Sequence, residues 1–327
     1  MKQELFAAKP GAGQAWDVVI VGSGPAALTA AIYTTRGAAS TLVLGGEKWG
    51  GQLMLTTTVD NFPALPGIQG PDLMQKMREH AVQFGAEFIE KNVEAVDFSG
   101  KPFKLTAGGQ EYLASSVIVA TGADTKWLGV PGEDKLIGRG VSSCAPCDAP
   151  FFKGKAVAVV GGGDSAMEEA LVLTKYASQV AIIHRRDKFR ASEAMQKKVF
   201  EQEKAGKIKM IWNSEVVEML GDEKLTALKV KNNQDNSVSE MPFDGVFVAI
   251  GHSPSTNVFR GKVNLDEKGY VKTTPSERFL MSTNIPGIFV SGDVHDYLYR
   301  QAITAAGFGC MAALDVLKYL DKDVPNW

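Results

Sequence analysis

The chain has 327 residues, of which 45% are hydrophobic and 22% charged, and its formal net charge is −2. The composition is that of an ordinary globular protein, and the length predicts two domains. The charge gives no reason to expect nucleic acid or an anionic membrane as a partner, because neutralising several phosphates needs a basic excess. The N-terminal MKQELFAAKPGAGQAW lacks the apolar core of a signal peptide, and no window approaches 18 uninterrupted apolar residues. We therefore expect a cytoplasmic protein.

The first predicted elements form a dinucleotide-binding fingerprint. The apolar run DVVIVG (17–22) predicts a strand, which leads through GSGPAA (22–27) into the helix-like TAAIYTTRG (29–37). In this Gly-x-Gly-x-x-Ala pattern, the glycines let backbone N–H groups approach a pyrophosphate at the N-terminus of the helix. The next predicted strand, TLVL (41–44), is followed by GGE (45–47), so the acid that would bind a ribose is displaced by two or three positions.

Two further stretches belong to the same predicted unit. The Pro- and Gly-rich NFPALPGIQGP (61–71) predicts a loop. The apolar VIVATGA (117–123) predicts a buried strand that ends in a glycine turn.

Two of the three cysteines, Cys144 and Cys147, form a Cys-x-x-Cys motif. In a reducing compartment such a pair is more often redox-active or metal-binding than structural. A zinc site would need two further ligands, and the four histidines form no paired motif, so no metal is expected. As a redox pair, the cysteines can close a small disulfide and attack a partner's disulfide through a thiolate. The sequence leaves open which sulfur engages the partner.

Asp148 follows the second cysteine and has two interpretations. It can serve as the acid that protonates a departing thiolate, or it can cap a helix that begins at Ala149-Pro150, where proline suits an early helical position. Both can hold at once. The third cysteine, Cys310, lies in a Gly- and Ala-rich predicted helix and is interpreted as a buried small apolar residue.

A second fingerprint, GGGDSA (161–166), stands between the strand-like KAVAVV (155–160) and the helix-like MEEALVLTKY (167–176). The same context therefore occurs twice, which indicates two related nucleotide-binding units. In the second unit, the residues assigned to the nucleotide at this turn are Gly163, Asp164 and Ser165.

The strand QVAII (179–183) of the second unit ends in His184, Arg185 and Arg186, with Arg190 beyond. Cations thus stand where a nicotinamide-binding strand normally ends in an acid, and guanidinium groups bind a 2′-phosphate in a planar fork. The predicted ligand is NADPH rather than NADH. With a dithiol nearby, hydride chemistry needs an intermediary, and FAD in the first unit is the economical one because flavin passes two electrons to a disulfide.

The last elements complete the pattern without a third fingerprint. VFVAIGH (246–252) resembles the earlier VIVATGA, GIFVSGD (287–293) predicts a strand, and an apolar helix is predicted from Gln301 to Leu320. His252 and His295 flank these motifs and are interpreted as loop and packing residues.

Jointly these stretches resemble the low-molecular-weight, bacterial-type thioredoxin reductases, from about Asp17 to Leu320. The resemblance rests on GSGPA, GGQL, VDNFP, CAPCD, GGGDSAMEEA, HRRDKFRAS, AIGHSP, SGDV and YRQAITAAGFGCMAA. It implies an α/β fold of two Rossmann-like, three-layer ββα domains and a homodimer that reduces thioredoxin. The NADPH domain (124–250) would be inserted into a discontinuous FAD domain (1–123 and 251–327).

The resemblance also implies residue roles. It places Cys147 near the flavin, a backbone contact to the adenine at Val93, and ribityl contacts at Asp293. A helix beginning near Gln301 would direct its positive end towards reduced flavin. The remaining residues assigned to FAD are Gly22, Ser23, Gly24, Pro25, Ala26, Gly45, Gly46, Gln52, Asn61, Arg300, Gln301 and Ala302.

The chain departs from the family pattern at Ala149, where glycine is usual, and an alanine there restricts φ beside the redox pair. The dithiol precedes the second fingerprint closely and so belongs to the NADPH domain. Nicotinamide and disulfide must then take turns at one flavin face, which predicts a domain rotation about the strand exits near Gly122 and Gly251.

Other functions stay open at this point. A flavin-dependent ferredoxin or flavodoxin reductase of related fold would not need the Cys-x-x-Cys, and a nucleotide-sensing protein would need neither the cysteines nor Asp148. A dithiol oxidase is disfavoured by the intact HRR sequence (184–186).

Overall fold

The computed structural model of the protein describes residues 7–56 and 58–321. The described residues form two compact units, of which the first contains those up to Asp124 and those from Ser253 onward, and the second contains Thr125–His252. The elements up to the first crossing are β1 (Trp16–Val21), α1 (Pro25–Arg36), β2 (Thr41–Leu44), β3 (Thr58–Val59), β4 (Ile68–Gln69), α2 (Gly70–Gln83), β5 (Glu87–Ile89), β6 (Val93–Asp97), β7 (Phe103–Ala107), β8 (Gln110–Val119) and β9 (Ala123–Thr125).

The second unit and the C-terminal return to the first follow in chain order. The second unit contains α3 (Glu133–Leu136), β10 (Val141–Ser142), α4 (Ala145–Asp148), β11 (Ala156–Val160), α5 (Asp164–Leu173), β12 (Gln179–Ile183), α6 (Glu193–Lys204), β13 (Ile208–Ile211), β14 (Ser214–Leu220), β15 (Ala227–Asn232), β16 (Val238–Pro242) and β17 (Gly245–Val248). After β18 (His252–Pro254), the chain adds β19 (Ile288–Val290) and α7 (Ala302–Tyr319).

The first unit is built on a seven-stranded sheet in the order β5-β2-β1-β8-β7-β6, with β19 also paired to β8. The long strand β8 pairs with three strands: its first half is antiparallel to β7, and its second half is parallel to β1 and β19. Strand β1 is almost entirely buried, which is why it is a continuous apolar run rather than an alternating one. The carboxyl ends of β1, β2, β8 and β19 lie at one edge of the sheet.

The second unit repeats this plan on a smaller scale. Its five-stranded sheet, β10-β17-β11-β12-β13, is parallel throughout, and the separate sheet β14-β15-β16 is antiparallel. Each unit therefore combines parallel strands, antiparallel strands and helices.

Helix α7 is a core helix of the first unit, although among the described helices it alone is long and apolar enough to cross a membrane. It packs along α1, where Gly309 lies so close to the carbonyl oxygen of Ala26 that an added Cβ would stand 2.3 Å from it. Its buried Asp315 accepts the Met281 N–H at 2.8 Å. A buried, hydrogen-bonded carboxyl group and close helix packing are what a soluble core requires.

The predicted strands and the C-terminal helix are confirmed, but the predicted loop at 61–71 is wrong at its end. Residues 68–69 form β4, and α2 begins at Gly70 with Pro71 in its first turn. The Gly-Pro pair that was interpreted as loop punctuation starts a helix, because proline lacks only an N–H that the first turn leaves unpaired.

Candidate active site

The first fingerprint forms a turn with room for a ligand. A Cβ at Gly22 would lie 2.1 Å from the Ala120 carbonyl oxygen, so only glycine fits beside that strand. Gly24 is the N-cap of α1, provides no side-chain cap, and has no heavy atom within 4 Å of a Cβ position. Pro25 has no N–H, so the first free N–H groups of α1 belong to Ala26 and Ala27. An uncapped helix N-terminus beside an open Gly24 is what a phosphate site requires.

The hydroxyl of Ser23 ties this turn to the loop after β2. It donates to the Gly45 carbonyl at 2.6 Å and accepts the Gly50 N–H at 3.0 Å. Its hydroxyl is thus engaged within the protein, which leaves its backbone N–H for a ligand. Beyond Gly46, the Glu47 N–H donates to the side chain of Asn92, the residue before Val93, at 3.2 Å.

Two residues assigned to the flavin, 240 positions apart, meet directly: the Asn61 amide donates to Gln301 Oε1 at 3.1 Å. Gln301 is also the N-cap of α7, in a reciprocal capping box with Thr304. Helix α7 begins at Ala302, as predicted, so its positive end lies at this residue cluster. The third assigned amide, Gln52, donates to Asp124 Oδ1 at 3.1 Å.

Asp296 shapes the segment before α7, and sequence reasoning did not identify it. It is 6% exposed, and its carboxylate accepts the N–H groups of Leu298 and Tyr299 at 3.0 Å and of Arg300 at 3.2 Å. Arg300 takes φ +48°, a left-handed conformation that is uncommon for arginine. Asp296 thereby fixes the backbone that leads into Gln301.

Three buried polar atoms after β19 have no hydrogen-bond partner among the described residues: Ser291 Oγ, Asp293 Oδ1 and His295 Nε2. Burial, with the negative charge of Asp296, raises the pKa of Asp293 to about 7. Burial lowers the pKa of His295 to about 4, and its ring packs edge-on against Phe308, as the packing interpretation predicted. An orphaned buried carboxyl oxygen marks a place where a ligand hydroxyl can donate.

The second fingerprint repeats the geometry of the first. A Cβ at Gly162 would lie 2.2 Å from the His184 ring, so the close approach of these two segments requires glycine. Gly163 is the N-cap of α5, provides no side-chain cap, and has no heavy atom within 4 Å of a Cβ position. Asp164 Oδ1 accepts the N–H and hydroxyl of Ser192 at 2.9 and 2.7 Å. Ser165, in the first turn, is half-buried.

The arginine loop (184–192) joins a buried base to exposed cations. His184 is buried, its Nε2 lies 3.1 Å from the Lys188 carbonyl oxygen, and burial lowers its pKa, so its ring acts in packing. Arg185, Arg186 and Arg190 are exposed, and none of them forms an ion pair among the described residues. Exposed, unpaired guanidinium groups beside a phosphate turn are suited to a second phosphate.

Two asparagines outside the arginine loop hydrogen-bond to its backbone. The sequence did not predict these contacts. Asn213, in the left-handed conformation at φ +49°, donates its N–H to the Arg186 carbonyl at 3.1 Å. Asn233, in the β15–β16 turn, donates its N–H to the Asn213 carbonyl at 2.6 Å and its side-chain amide to the Arg185 carbonyl at 3.4 Å.

The redox motif forms a short helical turn in the second unit. Cys144 and Cys147 are joined by a disulfide, with 5.3 Å between their Cα atoms. Cys144 is the N-cap of α4, and its carbonyl accepts the N–H groups of Cys147 and Asp148 at 3.2 and 3.1 Å. The carboxylate of Glu169 on α5 accepts the Ala145 N–H.

Asp148 is the N-cap residue of the helical turn Ala149–Phe152, as predicted, but its side chain makes no capping hydrogen bond. Its Oδ2 instead accepts the Ser142 hydroxyl at 2.6 Å. Burial raises the pKa of Asp148, and the Ser142 hydrogen bond partly offsets the rise. A carboxyl group with a raised pKa beside a dithiol can give and take protons.

Two other expectations need correction or refinement. Cys310 is partly exposed rather than buried, and it hydrogen-bonds to Tyr33, whose pKa it raises. Cys310 lies on α7, which packs along α1, the helix that carries Tyr33. The substitution of alanine for the usual glycine at position 149 causes no backbone strain, because Ala149 takes φ −52° and is fully buried.

Comparison with known proteins decides the family. Residues 16–309 match the family described as pyridine nucleotide-disulphide oxidoreductase. The chain belongs to this family. It is 50% identical over 308 residues to the thioredoxin reductase of Streptomyces coelicolor, covering 93% of this chain and 94% of that protein. A Pseudomonas fluorescens protein named glucosaminate ammonia-lyase is 46% identical over 306 residues, covering 93% and 95%.

Solved structures lead to the same family assignment. The thioredoxin reductase from Giardia duodenalis is 41% identical, covers 94% of this chain and 100% of its own, and superposes with a TM-score of 0.87. The α/β fold with two Rossmann-like units and the family resemblance are thereby confirmed. As a member of the pyridine nucleotide-disulphide oxidoreductases, the chain is a flavoprotein oxidoreductase that uses FAD and NADPH.

The residues present fit both groups of this family. The first unit offers an uncapped helix N-terminus at Gly24 and an orphaned buried acceptor at Asp293. The second offers an uncapped N-terminus at Gly163 and unpaired arginines beyond it. Among the described residues, no group of three or more His, Cys, Asp and Glu side chains is placed to hold a metal ion.

Proposed function

We propose that the chain is a thioredoxin-disulfide reductase, which passes electrons from NADPH through FAD and the Cys144–Cys147 pair to a protein disulfide. One observation carries this proposal: a disulfide stands beside a half-buried carboxyl group with a raised pKa, Asp148, in the unit that also bears the unpaired arginines. A nucleotide-sensing protein has no use for that combination, and a ferredoxin-type reductase has no use for the cysteines.

In this proposal, FAD binds the first unit and NADPH the second, with domains 1–123 and 251–327 for FAD and 124–250 for NADPH. Residues 22–26, with the α1 N-terminus, hold the FAD pyrophosphate, while Gly45, Gly46 and Val93 line the adenosine end. Gln52, Asn61, Asp293 and the Arg300-Gln301-Ala302 segment hold the ribityl chain and ring. When bound, FAD accepts a hydride from NADPH and passes two electrons to the disulfide.

The second unit supplies nucleotide selection. The N-terminus of α5 at Gly163-Asp164-Ser165 receives the pyrophosphate, and Arg185, Arg186 and Arg190 receive the 2′-phosphate. His184 supports this loop: its ring packs against Gly162, and its Nε2 lies beside the Lys188 carbonyl oxygen. Because the guanidinium groups remain charged at any working pH, NADPH is preferred over NADH.

The protein's own proton chemistry centres on Asp148. Reduction of the disulfide needs two protons along with two electrons, and Asp148 exchanges one of them with the thiols. One thiolate then attacks the partner's disulfide, and the departing partner sulfur takes a proton from the Asp148 carboxyl group. The second thiol closes the Cys144–Cys147 bond again. We assign Cys147 to the flavin side and Cys144 to the partner.

The partner is thioredoxin or a thioredoxin-like protein, and the enzyme is proposed to act as a homodimer in the cytoplasm. Thioredoxin-like domains present their own dithiol in a reducing compartment, which suits exchange with Cys144. Light scattering after size exclusion tests the dimer directly.

The function is tested with the purified, FAD-loaded protein, NADPH and a disulfide-oxidised thioredoxin. We expect NADPH oxidation at a rate that depends on the thioredoxin concentration, with NADH a far weaker reductant. Cys144→Ser and Cys147→Ser must abolish thioredoxin reduction while NADPH still reduces ferricyanide. Ammonia release from glucosaminate, with no thioredoxin turnover, would overturn the proposal.

A further inference from the structure

A serine links the redox motif to its acid. Ser142 ends β10, where it pairs with Phe247 of β17, and its side chain is 8% exposed. Its Oγ accepts the Cys144 N–H at 3.1 Å and donates to Asp148 Oδ2 at 2.6 Å. The hydroxyl therefore spans the turn, from the backbone of the first cysteine to the carboxyl group beyond the second.

We infer that Ser142 is a positioning residue for dithiol–disulfide exchange: its hydroxyl orients the Asp148 carboxyl group so that one defined oxygen handles the proton. This inference rests on the proposed reductase function. With Oδ2 occupied by the Ser142 hydroxyl, a proton that Asp148 holds lies on Oδ1.

The geometry makes the direction of the hydrogen bond unambiguous. A backbone N–H can only donate, so the Ser142 oxygen accepts from Cys144 and its single hydrogen is free to point at Asp148. The Cys144 N–H polarises that hydroxyl and strengthens its donation, as in other hydrogen-bonded chains. Because Ser142 is held by the parallel sheet rather than by the turn, it anchors Asp148 to the rigid part of the unit.

The exchange reaction balances with this single carboxyl group. Two thiols lose two protons and two electrons and form the Cys144–Cys147 bond. The partner's S–S bond breaks, and its two sulfurs gain two protons and two electrons. Asp148 gives one proton to the first departing partner sulfur and regains one from the second thiol of the pair. Water accepts the proton of the attacking thiol and supplies the one for the partner's other sulfur, so Asp148 ends as it began.

Other groups around Asp148 do not substitute for Ser142. On the packed helix α5, the carboxylate of Glu169 is directed to the Ala145 N–H, while Glu168 and Asp164 are exposed. Lys153 and Lys155 beyond the turn form no ion pair with Asp148, and neither lysine nor any acid shifts its pKa. Burial and the Ser142 hydrogen bond alone shift the pKa of Asp148, so removing the hydroxyl should raise this pKa.

The test uses Ser142→Ala in the FAD-loaded full chain, with Ser143→Ala as the matched control. Ser143 is the adjacent hydroxyl, and it lies 3.2 Å from Thr125 Oγ1 rather than at Asp148. The pH profile of kcat/KM for oxidised thioredoxin is recorded, and the limb that Asp148→Asn abolishes is assigned to Asp148. Ser142→Ala should move that limb upward by about 1 pH unit and lower the rate, while Ser143→Ala should leave it in place.

A double-mutant cycle separates positioning from general structural support. In an Asp148→Asn background, Ser142→Ala should add little further loss, since both changes interrupt one interaction. Additive losses, or an unmoved limb in Ser142→Ala, would overturn the inference. Ser142→Thr, which retains a hydroxyl, should restore the limb, and it serves as the folded comparison if the alanine variant is unstable.

Two controls keep this inference distinct from the proposed function. NADPH-dependent ferricyanide reduction, which bypasses the dithiol, should be equal in wild type and Ser142→Ala. If wild type itself fails to reduce thioredoxin, the proposed function is wrong. If wild type reduces thioredoxin but the Asp148 limb of the pH profile does not move in Ser142→Ala, only the inference is wrong.

Discussion

At the scale of single residues, Asp148 and Asp293 are two half-buried carboxyl groups with raised pKa values and different surroundings. Asp148 has a hydroxyl donor that offsets part of the burial effect, and Asp293 has an orphaned oxygen and a negative neighbour in Asp296. A carboxyl group that still has a donor can cycle between its two states, which suits proton transfer. A carboxyl group whose oxygen has no donor among the described residues can accept a ligand hydroxyl, which suits binding.

Asp148→Asn should lower thioredoxin reduction by about 10²-fold, because the amide cannot exchange a proton with a sulfur. NADPH-dependent ferricyanide reduction should keep its wild-type rate, since that reaction does not pass through the dithiol. Both rates are measured on the same FAD-loaded preparation. A proportional loss of both rates would mean that the substitution damages the fold rather than proton transfer.

Asp293→Asn should change the pH dependence of stability in protein stripped of flavin. The folded pKa of Asp293 is about 7 and its unfolded pKa is near 3.9, so the folded state binds the proton more tightly and wild type loses stability as pH rises from about 4 to 7. The amide lacks that loss, so the variant should gain up to about 4 kcal/mol relative to wild type between pH 4 and pH 8. His295 titrates in both proteins and cancels in the difference.

Urea unfolding at pH 4 and pH 8 measures this difference. A constant offset between variant and wild type at both pH values would show that Asp293 is ionised in the folded apoprotein. The same variant should also bind FAD more weakly, because an amide orients a ribityl hydroxyl differently from a carboxylate.

At the scale of elements, the arginine loop owes its shape to a hairpin far from it in the chain. Asn233 in the β15–β16 turn bonds the Arg185 carbonyl and, through Asn213, supports Arg186. The guanidinium groups themselves make no ion pair among the described residues, so the backbone alone sets where they stand. Selection of the 2′-phosphate therefore depends on a turn that need not touch it.

Asn233→Ala should raise the KM for NADPH roughly fivefold, as expected for the loss of one neutral hydrogen bond. The KM for NADH and kcat should change little, because NADH offers no 2′-phosphate to the arginines. Gln234→Ala, in the same turn, is the matched control, since only its backbone N–H is used there. Equal increases in KM for both nucleotides would contradict a role in phosphate selection.

Element boundaries follow from local chemistry, which is why so many could be predicted. The turns at Gly24 and Gly163 and the start of α7 at Ala302 each depend on a strand, a glycine pattern or a capping residue within a few positions. Contacts across the chain carry no such signal. The Asn61–Gln301 bond joins residues 240 positions apart, so only the folded structure reveals it. The Ser142–Asp148 bond spans six residues but depends on how β10 turns into α4, which residue types do not indicate.

The same limit explains the misinterpretations. Whether the side chain of Asp148 caps a helix or accepts from Ser142 depends on which donor lies nearer in three dimensions, and the tertiary donor wins. From its residue type, Ala149 was expected to restrict the backbone beside the redox pair. The turn places it at φ −52°, which is an allowed conformation for alanine. Sequence pattern identifies the motif, and packing decides how each side chain is used.

At the scale of the whole molecule, the chain passes twice between its two units, and in each passage a glycine has positive φ: Gly122 at +69° and Gly251 at +112°. No heavy atom lies within 4 Å of a Cβ position at either glycine. Packing therefore does not require glycine there, and the backbone conformation does. Since the proposed flavin site belongs to one unit and both of its proposed redox partners to the other, these glycines are where the predicted rotation would take place.

Gly122→Ala should slow turnover several-fold while FAD remains bound, because alanine restricts the φ values that a rotation would use. Gly109→Ala is the matched control: Gly109 has φ +74° and equally open surroundings, but lies in the β7–β8 turn away from either passage. Both substitutions should cost about 1 kcal/mol of stability, since both force alanine into a left-handed conformation. Thermal unfolding compares the stabilities, and steady-state kcat with thioredoxin compares turnover. A drop in kcat shared equally by the two variants would trace the effect to stability, whereas a drop confined to Gly122→Ala requires that the passage itself moves during each cycle.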